Sequence, residues 1–251
     1  MKKETIIGIV VIAGIATLVV GITALRKMSA HSQEAAKIAD ISNSKDAQTI
    51  DDLKRTIAAY EKELDQVIRA STKSGTYWKI LATRLQDKSQ HGEALNALQS
   101  AIQYNPEDAA LFYMTGVSAG VMAKSELDFS GKTSEKQRED YYRLAEQGYL
   151  RAIELNERYD KPLYGLGILY VFELDRSVDA IPYLQRYIDL NSGNPEGSAD
   201  AMFVLARAYY IVGEYQQAIA QYEGILTVSK NKNKLTQAAE LKQQVIRTMN
   251  G

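Results

Sequence analysis

The side chains that most often carry out acid–base or metal chemistry are few and scattered in this sequence. Its two histidines are His31 and His91, and none of the 251 residues is cysteine. A metal site needs three or four ligands together, and neither histidine has a second ligand or a carboxylate pair near it. The acidic pairs Asp51-Asp52 and Glu139-Asp140 stand in charge-rich helical stretches, which is typical of solvated faces. The sequence therefore predicts that the protein is not an enzyme and has no catalytic, metal or cofactor site.

One stretch could suggest phosphate chemistry. Residues 130–133 read Ser-Gly-Lys-Thr, as at the end of a phosphate-binding loop. The first glycine of the motif G-x-x-x-x-G-K-T would fall at position 126, where Glu126 stands, and no strand precedes it. We interpret this stretch as a polar loop. Nucleic acid is also excluded as a partner, because 30 basic and 31 acidic residues give a net charge of −1 and no basic face.

A recurring pattern of large and small residues indicates the elements that organise the chain. The last copy, within residues 201–226, has these members at fixed offsets: Met202, Leu205, Ala206, Tyr209, Gly213, Tyr215, Ala218 and Tyr222. Three earlier copies follow the same pattern, and the second has an insertion between Ala119 and Ala145: Trp78, Leu81, Ala82, Leu85, Ala94, Leu98, Ala101 and Pro106; then Phe112, Gly116, Ala119, Ala145, Tyr149 and Ala152; then Leu163, Leu166, Gly167, Tyr170, Ala180 and Leu184.

This pattern resembles the tetratricopeptide repeat, in which two antiparallel helices form one unit of a stack. The resemblance implies an all-α fold, a right-handed α-solenoid of about four helix pairs, and binding of proteins rather than catalysis. Small residues such as Ala94, Ala145, Ala180 and Ala218 would let the paired helices approach closely. The sequences Asn105-Pro106-Glu107 and Asn194-Pro195-Glu196 predict helix starts, with asparagine as the cap and proline at the first position.

The first part of the chain predicts a membrane anchor. Residues Ile6–Leu25 are twenty without a charge, enough to span about 30 Å of hydrocarbon as a helix. A cleaved signal peptide is the alternative, but its apolar core is normally shorter and ends at a small-x-small site, which Ser29-Ala30 matches poorly. The basic N-terminal tail is typical of a bacterial signal anchor. We therefore expect a single-pass inner-membrane protein whose repeats face the periplasm; a cytoplasmic location stays open.

The expected organisation follows from these features. An anchor (1–27) and a linker (28–46) lead to an N-terminal capping helix (47–74). Four repeats occupy 75–229, namely 75–108, 109–158 with an insertion at 125–137, 160–194 and 199–229, and a C-terminal capping helix spans 230–251. The capping helix carries a stripe at coiled-coil spacing: Ile50, Leu53, Ile57, Tyr60, Leu64 and Val67. It either packs on the first repeat or forms a dimeric stalk, so a homodimer through the anchor or residues 50–67 is possible.

The resemblance also implies a ligand groove lined by the first helix of each repeat. Its polar start would hold Lys79, Thr83, Gln86 and Asp87, and Gly120 and Val171 are further lining positions. The predicted protein-binding residues are Tyr113, Val117, Val121, Tyr164, Ile168, Phe172, Phe203, Arg207, Tyr210 and Ile211. The Lys and Asn pattern that family members use to clamp a C-terminal carboxylate is absent after Lys79. An apolar and aromatic strip suits an apolar helix or extended segment of a protein partner.

Two readings of this groove remain. It is open to a partner, or the helix at 50–68 or the insertion fills it. We expect a membrane-anchored scaffold or adaptor that mediates protein–protein interactions in a cell-envelope complex. The alternative is a chaperone-like factor that transiently binds exported or unfolded clients near the membrane.

Overall fold

The described residues are helical and contain no strand. A computed structural model of the protein describes residues 50–125 and 135–250. Within these ranges the helices are α1 (Ile50–Asp87), α2 (His91–Tyr104), α3 (Ala109–Ser125), α4 (Glu135–Leu155), α5 (Asp160–Phe172), α6 (Ser177–Leu190), α7 (Pro195–Ile211), α8 (Tyr215–Val228) and α9 (Lys232–Asn250). The predicted all-α fold is confirmed for this part of the chain.

The chain divides into two compact units, Met1–Ala70 and Ser71–Gly251. In the first unit the described residues are 50–70, which belong to α1. The predicted apolar stripe is exposed there: Leu53, Ile57, Tyr60, Leu64 and Val67 each keep slightly more than half of their surface accessible. The capping role and the dimeric role of this stripe both stay predictions.

The second unit is a succession of helix pairs. Each helix from α2 to α9 contacts the next along the chain, and the first helices of the pairs, α3, α5 and α7, also contact one another in a row. The final helix, α9, contacts both α8 and α7. Each helix therefore packs on both its pair mate and the neighbouring pair, which is the arrangement of a repeat solenoid.

Small residues bring the paired helices together as predicted. Ala94, Ala145, Ala180 and Ala218 are completely buried. Around them large aliphatic side chains such as Leu163, Leu166, Leu184 and Leu205 fill the core with almost no exposed surface. The pattern in the sequence is thus a packing pattern, since the small positions set the helix spacing and the large ones fill it.

One of the two predicted helix starts is confirmed and the other is wrong. Asn194 caps α7 by accepting a hydrogen bond from the Gly197 amide at 3.1 Å, with Pro195 at the first helical position. Asn105 instead ends α2, donating its amide to the Ala101 carbonyl at 3.0 Å. The cap of α3 is Asp108, whose carboxylate accepts from the Ala110 amide at 3.0 Å. Because Asp108 offers a stronger acceptor three residues later, the chain turns before the helix begins.

A largely buried lysine fastens the last helix to the last repeat. Lys234 on α9 pairs with Asp200 at 2.7 Å and with Glu196 at 3.2 Å, and its side chain is only 19% exposed. Glu196 also accepts hydrogen bonds from Ser229 and from the Lys230 amide at 2.8 Å. The turn between α8 and α9 is therefore held against the start of α7.

We expect Lys234→Met to lower the free energy of unfolding by about 1–2 kcal/mol, since hydrogen bonds to charged groups are lost while the aliphatic packing is kept. Urea denaturation of the full-length protein followed by circular dichroism measures this. The matched control is Lys230→Met, because the Lys230 side chain is exposed and it is the main-chain amide of Lys230 that bonds to Glu196. Equal midpoints for the two variants would contradict a fastening role for Lys234.

The predicted membrane segment lies outside the described residues. Among the described residues, none of the helices is long and apolar enough to cross a membrane. The predicted anchor at Ile6–Leu25, the linker at 28–46 and most of the insertion at 125–137 lie outside the described residues. They stay predictions.

Candidate protein-binding groove

The residues predicted to line a groove lie on α3, α5 and α7, the row of first helices. Because α3 contacts α5 and α5 contacts α7, the predicted residues lie on three adjacent helices. The ten predicted residues are either half-buried or exposed, and none is part of the fully buried core: Tyr113, Val117, Val121, Tyr164, Ile168, Phe172, Phe203, Arg207, Tyr210 and Ile211. Two clefts open on this surface.

The first, which we call the middle cleft, lies on α3, α4 and α5 and has a volume of about 180 Å³. The predicted residues Val117, Val121 and Ile168 line it, together with Gly120 and the ring of Tyr149. Val121 is 41% exposed at this cleft. The middle cleft therefore offers an apolar surface accessible to a partner's side chains.

A charged group borders the middle cleft. Glu173 pairs with Lys124 at 2.6 Å and accepts a hydrogen bond from the Tyr142 hydroxyl at 2.6 Å. Burial by itself would raise the pKa of Glu173, but the hydrogen bonds from Lys124 and Tyr142 outweigh it and lower that pKa below its usual value. Burial and the bond to Glu173 raise the pKa of Tyr142 to about 12. Glu173 is thus held ionised as an acceptor that joins α3, α4 and the end of α5.

This group gives a prediction about pH. A carboxylate whose pKa is lowered by folding stabilises the protein above its unfolded pKa, about 4.3, and loses that contribution as the pH falls through the folded pKa. We expect Glu173→Gln to be less stable than the parent protein at pH 7, and the difference to shrink as the pH drops below about 4.3. Thermal melts between pH 3 and 7 measure it. A difference that stays constant over this range would contradict the role of the ionised Glu173.

The second, which we call the C-terminal cleft, has a volume of about 370 Å³. Its lining residues come from four helices: Phe172, Phe203, Val204, Arg207, Tyr210, Tyr222, Gln237, Leu241, Gln244 and Val245. The guanidinium carbon of Arg207 lies 5.4 Å from the centre of the Phe172 ring, within the range of a cation–π contact. The Phe203 and Tyr222 rings are 6.2 Å apart, so one side of the cleft is aromatic.

Tyrosine rings also pack in pairs near the starts of α3 and α5. The Tyr113 ring lies 5.4 Å from that of Tyr159, and the Tyr164 ring lies 5.1 Å from that of Tyr187. Burial, followed by the charges of Tyr113 and Asp160, raises the pKa of Tyr159 to about 12. Part of the surface of Tyr113 and of Tyr164 is therefore covered by a neighbouring ring. Less of each side chain is accessible to a partner than the sequence pattern predicts.

Some predicted lining positions serve the fold instead. Val171 is 3% exposed and belongs to the core, so its prediction as a lining residue is wrong. Lys79 pairs with Asp108 at 2.6 Å, and the Gln86 amide donates to the Ser118 hydroxyl at 2.7 Å. The first bond holds α1 against the cap of α3, and the second joins α1 to α3 itself. Ile211 is 50% exposed but lines neither cleft.

Several lining residues were missed. The α9 residues Gln237, Leu241, Gln244 and Val245 form a wall of the C-terminal cleft, although the sequence indicated only a cap. The repeat pattern identified Tyr222 as a packing position. The structure shows that its side chain also lines the cleft. The amphipathic spacing of α9 predicted which residues face inward. It does not predict the direction in which α9 crosses α7 and α8, and that direction decides which residues line the cleft.

Metal chemistry finds no support in the described ranges, 50–125 and 135–250. No group of three His, Cys, Asp or Glu side chains there could hold a metal ion. The described histidine, His91, has its Nδ1 atom 3.4 Å from the Ser118 hydroxyl, next to Gln86. It lies in the packing between the first two repeats.

Comparison with known proteins agrees with this fold. Residues 179–234 match the family model described as tetratricopeptide repeat. A TPR repeat-containing protein of Borreliella burgdorferi is 21% identical over 184 residues, covering 73% of this chain and 76% of its own. Residues 179–234 therefore carry the tetratricopeptide repeat that the sequence pattern indicated.

Solved structures show the same architecture. A thermophilic TPR protein from Thermus thermophilus superimposes with a TM-score of 0.52 at 17% identity, covering 74% of this chain and 88% of its own. YrrB, described as a TPR protein with an unusual peptide-binding site, gives a TM-score of 0.51 at 17% identity, with 72% and 91% covered. At this level of identity the likeness is one of fold.

Proposed function

We propose that this protein is a membrane-anchored scaffold or adaptor that holds a protein partner through the surface of α3, α5 and α7. One observation carries the proposal: apolar and aromatic side chains line two open clefts along that row, and Val121 and Phe172 are 41% and 48% exposed there. Neighbouring apolar side chains that remain in contact with water mark a surface that a partner can cover.

The shape and chemistry of the row favour an apolar helix or extended segment as the ligand. Both clefts are lined mainly by aliphatic and aromatic side chains, and aromatic residues with a single arginine are the types that dominate binding energy in interfaces. The likeness of the fold to YrrB, which is described as having a peptide-binding site, supports the same class of ligand.

We place this activity at a bacterial inner membrane, with Ile6–Leu25 as the anchor and the repeats in the periplasm. The charge-free run and the basic tail before it support this location. A cell-envelope complex is then the expected setting. The exposed stripe of α1, at coiled-coil spacing, supports a homodimer at residues 50–67 as a further feature of the assembly.

The absence of cysteine allows a direct test of the location. We expect a single cysteine at the exposed position Gln217 to react with a membrane-impermeant maleimide in spheroplasts, and one at Lys2 to react only after lysis. Labelling at Lys2 in intact spheroplasts, with Gln217 protected, would reverse the orientation and contradict a periplasmic role.

A chaperone-like factor is the second candidate, favoured by the apolar character of the clefts. The two functions differ in stoichiometry. Affinity purification of the full-length protein, with quantitative mass spectrometry, should recover one partner in a fixed ratio if the protein is a scaffold. A broad set of clients in small and variable amounts would instead identify a chaperone and contradict the scaffold.

A further inference from the structure

The C-terminal cleft contains an arginine, Arg207, that has no acidic partner among the described residues. Arg207 is exposed in the cleft and rests over the Phe172 ring, and it makes no ion pair within the described residues. Arg176, by contrast, pairs with Glu146 at 2.6 Å and Asp179 at 2.7 Å. A cation held against an aromatic face with no acidic partner is available to an external anion.

A tyrosine that is otherwise buried reaches the same cleft. Tyr222 is 5% exposed, yet it lines the cleft, and its hydroxyl makes no hydrogen bond within residues 50–125 and 135–250. Tyr222 and Arg207 line the same cleft. Burial raises the pKa of Tyr222, and the positive charge of Arg207 acts in the opposite direction. Because Tyr222 lines the open cleft, a ligand atom there can accept a hydrogen bond from its hydroxyl in place of water.

The remaining lining residues are of two types, polar and apolar. Gln237 and Gln244 of α9 add amide groups, whereas Phe203, Leu241 and Val245 are apolar. The cleft therefore combines one cation and several hydrogen-bond donors with a surface for a hydrophobic side chain. Its volume of about 370 Å³ lies in the range of sites that enclose a small ligand or a few side chains.

We propose that the C-terminal cleft binds a glutamate or aspartate side chain of the protein partner, flanked in that partner by an apolar residue. Arg207 pairs with the carboxylate, Tyr222 donates a hydrogen bond to it, and the apolar wall takes the flanking side chain. This inference rests on the proposed function, since a partner that lies along the row presents side chains to the cleft. For the same reason we assign the carboxylate to a side chain and not to a chain end.

Arg207 would allow the groove to distinguish between partners. Apolar contact alone selects weakly among hydrophobic segments, but a charge-assisted hydrogen bond in a partly enclosed cleft adds a directional requirement. A segment with lysine at the same position would bring a second positive charge to Arg207 and be rejected.

The test screens bead-bound dodecapeptides, attached through their C-termini so that no terminal carboxylate is present, against the purified full-length protein. We expect the enriched peptides to carry Glu or Asp next to an aromatic or aliphatic residue. For one such peptide, Arg207→Gln and a Glu→Gln change in the peptide should each raise the Kd at least tenfold, and the two changes together should cost little more than either alone.

Arg158→Gln is the matched control, because Arg158 is exposed and lies outside the cleft. It should leave the Kd unchanged. Enriched peptides that are apolar without an acidic preference, and that bind Arg207→Gln as well as the parent protein, would overturn this inference while leaving the groove function standing. If no enriched peptide is weakened by Val121→Asp or Ile168→Asp, the groove function and this inference both fail.

Discussion

Replacing Gly148 with alanine is expected to lower the free energy of unfolding by about 1–3 kcal/mol, the range for an overpacked core. A Cβ atom at this position would lie 2.8 Å from both the Gly116 amide nitrogen and the Phe112 carbonyl oxygen. Both neighbours are main-chain atoms of α3, so no side-chain rotation relieves the contact, and α3 and α4 must separate. Urea denaturation followed by circular dichroism measures the loss.

Gly120→Ala is the matched control for this prediction. Gly120 lies in α3 as well, but a Cβ atom there would meet nothing within 4 Å. Since alanine is the better helix former, Gly120→Ala should raise the free energy of unfolding by about 0.5–1 kcal/mol. If Gly148→Ala behaved like Gly120→Ala, the close approach of α3 and α4 would be contradicted.

The second large effect concerns binding. We expect Val121→Asp combined with Phe172→Ser to lower the amount of partner recovered with the protein at least tenfold. The first change places a charge beside the middle cleft, and the second removes aromatic surface from the C-terminal cleft. Both side chains are substantially exposed in the free protein, so the fold should lose little stability. Quantitative mass spectrometry of purified complexes measures the recovery, and thermal melts check the fold.

The control for the binding prediction is Val178→Asp. Val178 is 66% exposed on α6, the second helix of its pair, and it lines neither cleft. The Val178→Asp substitution therefore introduces the same charge at an exposed valine that lies away from the row. Equal losses of partner in Val178→Asp and in the double variant would show that the row of α3, α5 and α7 has no special role.

The repeat pattern predicted the fold well because its small and large residues stand where paired helices pack against each other. The alanines at fixed offsets, among them Ala145 and Ala218, had to be small for paired helices to meet, and both are fully buried. The same offsets placed Val117, Ile168 and Phe203 on the accessible row. Local periodicity is thus sufficient to say which face of a helix meets its pair and which one remains free.

The pattern failed where the answer depends on contacts between distant residues. Val171 is buried in the core with side chains from several helices, whereas Phe172, one residue further on, is exposed. The helix start predicted at Asn105 moved to Asp108, since two acceptors competed for the same turn. The α9 wall of the C-terminal cleft depends on how the last helix crosses α7 and α8, and residue spacing along α9 contains no information about that crossing.

If the row of α3, α5 and α7 is the partner-binding surface, photo-crosslinking in intact cells will capture the partner from that row. A photoreactive residue at Val121 should crosslink to one distinct protein that a probe at Val178 does not capture. Crosslinks from position 121 that stay within this chain, or that match those from position 178, would contradict the account.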